Sequence, residues 1–104
     1  MIRILKSFLG IRAGAKLKEL LKEGAQIIDV RSAGEFRSGH IRDSINIPLQ
    51  HLHGSLSKIK KNKPVILCCA SGRRSASAKN LLKANGYADV YNGGGWVSLQ
   101  NKIL

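Results

Sequence analysis

The stretch VILCCASGRRSASAKNLL, residues 65–82, places a strand, a tight turn and a helix in immediate succession. Val65 to Cys69 is apolar and rich in β-branched side chains after the breaker Pro64, which predicts a buried strand. Ala70-Ser71-Gly72 is a turn of small residues. From Arg74 to Asn85 the pattern becomes helical, and Gly86 follows where a helix C-terminus favours glycine. A cysteine therefore closes a buried strand, and a helix begins within a few residues of it. Successive backbone N–H groups of such a loop converge on one point, and the helix N-terminus adds partial positive charge there. Gly72 permits the dihedrals of the turn, while Arg73 and Arg74 bring full charge to its rim.

Working outward, Ala15 to Glu23 sets Leu17, Leu20 and Leu21 at helical spacing, with Gly24 as the stop. Gln26 to Val30 is apolar on both faces apart from Asp29, as in a buried strand of a parallel sheet. Ser32 to Ser38 reads as a short helix with a capping box formed by Ser32 and Glu35, ended by Gly39. Ser44 to Ile47 is a short strand stopped by Pro48, and Leu49 to Lys60 is a helical stretch weakened by Gly54. Asp89 to Tyr91 is a last strand, Asn92 to Gly95 a loop, and Trp96 to Gln100 a final helix. Strands alternating with helices predict a parallel sheet covered on both faces.

Bulk composition excludes several classes. At 104 residues, with 43% hydrophobic and 23% charged residues, the chain has the content of one ordinary globular domain. We assign that domain to residues 15–104 and an N-terminal extension to residues 1–14. The opening MIRILKSFLG is interrupted by Lys6 and lacks a cleavage pattern, so no signal peptide is expected; no run is long enough for a membrane span. The net charge is +12, from 18 basic and 6 acidic residues, which favours anionic partners. Only Lys58, Lys60, Lys61 and Lys63 cluster, and no aromatic residues interleave with them, so nucleic-acid binding is not expected. An acidic partner protein or small anions fit better.

Cys68 and Cys69 are sequence neighbours, with Cα atoms about 3.8 Å apart, closer than the roughly 4.4 Å minimum of a usual disulfide. The usage suits a reducing compartment, and the expected location is cytoplasmic. Adjacent strand residues face opposite ways, so only one thiol can point into the cradle. Cys69, nearer the helix end that favours a thiolate, is the reactive candidate; Cys68 is expected to be an inert buried hydrophobe. Burial of both as plain core residues is the bland alternative.

Three segments resemble rhodanese-like domains. IIDVRSAGEFRSGHIRDSINIP is similar to the first signature of that family, CASGRRS to its active-site loop, and NGGGW to its C-terminal Gly-Gly element. The likeness spans roughly Leu17 to Leu99. It implies an α/β fold with a small parallel β-sheet of about five strands flanked by helices on both faces. It also implies Cys69 as the nucleophile that takes sulfur from a donor such as thiosulfate and passes it to cyanide or a thiol. Ala70, Ser71, Gly72, Arg73 and Arg74 would bind the donor and cradle the persulfide. Asp29, Arg31, Glu35 and His40 would brace the sheet and its loops, and no cofactor is implied. One departure is Arg42-Asp43-Ser44, where the family often has a small turn containing Gly and Ala; a local loop change is expected.

Cys68 and Arg74 also satisfy a Cys-x5-Arg spacing, which brings in phosphatase-like anion chemistry as the alternative enzyme class. Counting from Cys69 instead gives the shorter Cys-x-x-Gly-x-Arg loop. A persulfide carrier or binding module serving a partner protein is the non-enzymatic alternative. His40, His51 and His53 form no matched ligand pair with the cysteines, so no metal is expected, and His51 and His53 should face solvent. Trp96 is expected to anchor the core.

Overall fold

The computed structural model describes residues 14–104. The extension assigned to residues 1–14 lies outside these, apart from Gly14. Helix α1 covers residues 14–22 and turns its buried Leu17 and Leu20 to the sheet. Its end is closed by two backbone bonds, from the N–H of Gly24 to the carbonyl of Leu21 and from that of Ala25 to Leu20. The pair satisfies orphan carbonyls with a left-handed glycine, as the sequence predicts.

Strand β1 (Gln26–Asp29) leads to α2 (Ala33–Ser38), and β2 (Ile45–Asn46) leads to α3 (Leu49–Leu52). Both halves of the Ser32–Glu35 capping box form. Helix α3 passes into a 3-10 helix over His53–Lys58, and the break expected near Gly54 falls at Ser55, whose dihedrals are non-helical. Strand β3 (Val65–Cys69) then leads to α4 (Arg73–Ala84), and β4 (Val90–Gly95) to α5 (Trp96–Ile103). The strands stand in the order β2-β1-β3-β4, and all neighbouring pairs are parallel.

The sheet has four strands among the described residues, against the expected five or so. The reason is periodicity: the remaining apolar runs, Leu17-Leu20, Leu49-Leu52 and Leu99-Ile103, recur every three or four residues and bury one helical face. The glycine run is the second correction. Asn92 to Gly95, expected as a loop, continues β4, because glycines let it close in. A Cβ at Gly93 would lie 2.9 Å from the Leu67 carbonyl oxygen, and one at Gly95 would lie 2.8 Å from that of Ala70. A bulge between Leu67 and Cys69 accommodates Gly94, whose φ is +82°. The Arg42-Asp43-Ser44 departure is a tight turn in which Asp43 itself takes a positive φ of 67°, a conformation aspartate tolerates.

Alternation along the central strands divides the interior in two. Ile28, Val30, Val65, Leu67 and Cys69 pack with Leu52, Ala78 and Leu82 on the α3 and α4 side. Ile27, Ile66 and Cys68 pack with Leu17, Leu20 and Leu99 on the α1 and α5 side. Among the described residues no helix is long and apolar enough to cross a membrane. His51 and His53 are exposed, as expected.

This packing yields a stability test. Leu82 is fully buried in the first core, whereas Val97 on α5 is 52% exposed. Leu82→Ala should cost about 2–5 kcal/mol by denaturant unfolding, and Val97→Ala less than about 0.5. Equal costs would contradict the arrangement.

Candidate functional site

The Cys69 thiol lies at the end of β3, where the chain turns through Gly72 into α4. Gly72 has a φ of +99° and caps the helix without a side chain. That turn aims its N–H at the Cys69 Sγ at 2.9 Å, and the N–H of Ser75, one turn into the helix, follows at 3.5 Å. The Ser75 hydroxyl stands 3.4 Å from the same sulfur. Burial alone pushes the thiol up, but the Ser75 hydroxyl and the N–H groups of Ser75, Gly72 and Ser71 outweigh it and hold Cys69 below the ordinary thiol range. Expected beside an accessible loop, Cys69 is only 1% exposed, although Ala70, Ser71 and Arg73 around it are open to solvent.

Cys68 shows what the same residue becomes on the opposite face. It is fully buried, and desolvation, with the Asp29 carboxylate adding to it, pushes its thiol up to about 12. Two adjacent cysteines thus have thiols shifted in opposite directions, because strand alternation turns only Cys69 toward the donors of Gly72 and Ser75.

Two residues that the sequence reading left out complete the cradle. Ser75 is fully buried and brings its hydroxyl to 2.6 Å from the Asn92 Oδ1 and 3.1 Å from the Gly72 carbonyl, besides the sulfur. Asn92 donates from Nδ2 to the Gly72 carbonyl at 3.1 Å and accepts from the N–H of Gly94 at 2.9 Å. It ties the glycine run of β4 to the cysteine loop. Ser75 was legible as a small polar residue three places after Gly72, facing back toward the strand; Asn92 was hidden because its segment reads as a loop.

The remaining site candidates fall into two linked clusters. Asp29 and Arg31 form a buried ion pair at 2.7 Å, with two further contacts from the Arg31 Nε at 3.0 Å. Arg31 also donates to the carbonyls of Gly39 and Glu35, and its guanidinium lies 4.8 Å from the Trp96 ring centroid. Trp96 is half-buried and packs against the α1 and α5 core, consistent with an anchor. Glu35 pairs with Arg74 through two bonds, Nη1 to Oε1 at 2.7 Å and Nη2 to Oε2 at 3.0 Å. His40 stays outside both clusters: its ring stacks on Phe36 at 3.7 Å and its Nδ1 donates to the Phe36 carbonyl. Arg73 is exposed at the first position of α4. Among the described residues no group of three or more His, Cys, Asp or Glu side chains could hold a metal ion.

A thiol held at the focus of a strand-loop-helix turn defines a class of α/β proteins built around one activated cysteine. The chain belongs to the rhodanese-like domain family, whose model matches residues 14–102. The uncharacterized protein YqhL of Bacillus subtilis is 44% identical over 68 residues, covering 65% of this chain and 54% of YqhL. The chain thus spans about half the length of that relative. The thiosulfate sulfurtransferase GlpE of Pseudomonas savastanoi pv. phaseolicola is 36% identical, covering 70% of this chain and 69% of GlpE. Among solved structures, the human single-domain sulfurtransferase TSTD1 matches with a TM-score of 0.73 at 28% identity, covering 85% of this chain and 92% of its own.

The site generates two tests. Iodoacetamide should modify Cys69 before Cys68, with a rate-pH midpoint below that of a free thiol, about 8.5, and Ser75→Ala should move that midpoint upward. Prior modification of Cys68, read by peptide mapping, would refute the assignment of donors. The second concerns Glu35, whose carboxyl is held down from 4.5 to about 2 by the Arg74 guanidinium first and by Ser32 second. A depressed carboxylate adds stability above pH 4.5 that is lost as pH falls toward about 2. The stability difference between the native chain and Arg74→Gln should therefore shrink over that window, and a difference that stays constant would contradict the pairing.

Proposed function

We propose that the chain is a sulfurtransferase that takes sulfane sulfur from an anionic donor such as thiosulfate, carries it as a persulfide on Cys69, and delivers it to cyanide or a thiol. The observation that carries this reading is the Cys69 Sγ at the focus of the Gly72 and Ser75 N–H groups. The names of relatives such as GlpE support it.

The chemistry follows from that geometry. The Cys69 thiolate attacks the outer sulfur of thiosulfate, a new S–S bond forms, and sulfite departs with the electron pair of the broken S–S bond. The outer sulfur of the persulfide then carries the negative charge, in a pocket of N–H donors that need no reorganisation to stabilise it. An acceptor nucleophile attacks that outer sulfur and releases the Cys69 thiolate. Ala70, Ser71 and Arg73 form the exposed wall by which donor and acceptor enter. Asp29 and Arg31 hold the end of β1 to the loop after α2, beside the site rather than in it. An acidic protein is a suitable acceptor for a chain of charge +12, and a reducing, cytoplasmic setting would keep Cys69 as a thiol.

Phosphatase chemistry through Cys68 is disfavoured because that thiol is buried on the other face of β3, where desolvation pushes it up to about 12. Incubation with thiosulfate should add one sulfur to the intact mass, mapped to Cys69 and removed by cyanide. Cys69→Ser should abolish the addition in a folded protein. Cys68→Ala should retain most transfer activity and lose about 1 kcal/mol of stability. Sulfur mapped to Cys68, or aryl phosphatase turnover matching sulfur transfer, would overturn the proposal.

A further inference from the structure

The loop carries two adjacent arginines, yet they meet the site in different electrostatic states. Arg73 is exposed and, among the described residues, makes no ion pair with a carboxylate. Arg74 has both terminal nitrogens bound to Glu35, in an end-on pair about two-fifths exposed, at 38% for each side chain. Glu35 is itself fixed from behind, since its Oε1 accepts from the Ser32 N–H at 3.1 Å and from the Ser32 hydroxyl at 3.0 Å. The capping box of α2 thus aims a carboxylate at the cysteine loop and occupies its second cation. The N–H groups of Gly72 and Ser75 point at the sulfur itself. Of the two arginines that follow Gly72, Arg73 is the one left, among the described residues, to pair with the oxygens of an incoming donor.

We propose that Glu35 is a specificity-determining residue that neutralises Arg74 and so biases the site toward sulfur donors carrying one negative charge over doubly charged ones. The inference rests on the sulfurtransferase reading and narrows its donor class. Of the two arginines after Gly72, only Arg73 is left to match a donor charge, so a second charge on the donor meets the Glu35 carboxylate or must displace it from Arg74. Monoanionic thiosulfonates and persulfides belong to the favoured class, and thiosulfate, a dianion, to the disfavoured one. The transfer step is the same for each. With methanethiosulfonate, the Cys69 thiolate bonds to the terminal sulfur, the S–S bond breaks, and methanesulfinate leaves with its electron pair, giving the persulfide.

Methanethiosulfonate and thiosulfate differ by a methyl group in place of a charged oxygen, which makes them a matched pair of probes. The variant Glu35→Gln keeps a side chain that serves the capping box, since glutamine substitutes for glutamate at that position, but removes the charge. In Glu35→Gln the ratio of kcat/KM for thiosulfate to that for methanethiosulfonate should rise about threefold to fivefold, the size expected of a partly exposed ion pair. The change should appear in the thiosulfate KM. A loss of structure alone would lower both donors together and leave the ratio where it was. The double variant Glu35→Gln/Arg74→Gln should lose the gain, because the cation released by the first change is gone. An unchanged ratio in folded, active Glu35→Gln overturns the inference, as does a gain that persists in the double variant. Absence of sulfur on Cys69 from either donor in the native chain overturns the sulfurtransferase reading itself, and this inference with it.

Discussion

A strand buried on both faces leaves its residues no choice of direction, and that constraint on β3 organises the molecule. Val65, Leu67 and Cys69 must enter one core and Ile66 and Cys68 the other, because a slip of one residue would exchange every side chain between them. The Cys69 sulfur is placed by the hydrophobic packing of the strand residues that precede it. Parallel pairing with β1 and β4 on either side then sets the end of β3 at the carboxyl edge of the sheet, where the loop and α4 can close over Cys69.

The two ion pairs near that edge serve under different physics. Asp29 and Arg31 are almost wholly buried, so their pairing must be complete: the carboxylate receives the Arg31 Nε, Nη2 and backbone N–H, and the spare guanidinium protons go to carbonyls. Among the described residues no buried side-chain polar atom lacks a partner. Removing one member would strand a buried charge, which costs far more than the pair itself contributes. Glu35 and Arg74 lie at the rim, where water and salt weaken their attraction. A pair of that kind holds a geometry loosely enough for an incoming anion to compete with it, which is the property the proposed donor selection rests on.

Much of this was legible in the sequence, for identifiable reasons. The four strands, the Ser32–Glu35 capping box and the glycine stops at Gly24 and Gly86 follow from local patterns that tertiary packing did not oppose. The opposite faces taken by Cys68 and Cys69 followed from a period of two. What escaped were features decided by distant contacts. Asn92-Gly93-Gly94-Gly95 has the composition of a loop, and only the proximity of Leu67, Leu99 and Ala70 makes it a strand that needs glycine. Ser75 and Asn92 are 17 residues apart, and no local pattern announces that they share a hydrogen bond. The expectation that Arg73 and Arg74 act alike failed to register Glu35 for the same reason, the partner being 39 residues upstream.

The chemistry of Cys69 depends on a competition that burial alone would lose. Removing a thiolate from water raises its energy, and Cys68 displays that cost without compensation. Cys69, itself only 1% exposed, receives the N–H groups of Gly72 and Ser75 and lies 3.4 Å from the Ser75 hydroxyl. On the sulfurtransferase reading proposed above, the negative charge would move outward by one bond as thiolate becomes persulfide, and the Ser75 hydroxyl, within reach of the sulfur, the Gly72 carbonyl and the Asn92 Oδ1, would turn to follow it while the backbone donors stay fixed. In that reading the fixed N–H groups supply the field and the Ser75 hydroxyl adjusts it, so that one cradle would serve both halves of a transfer cycle.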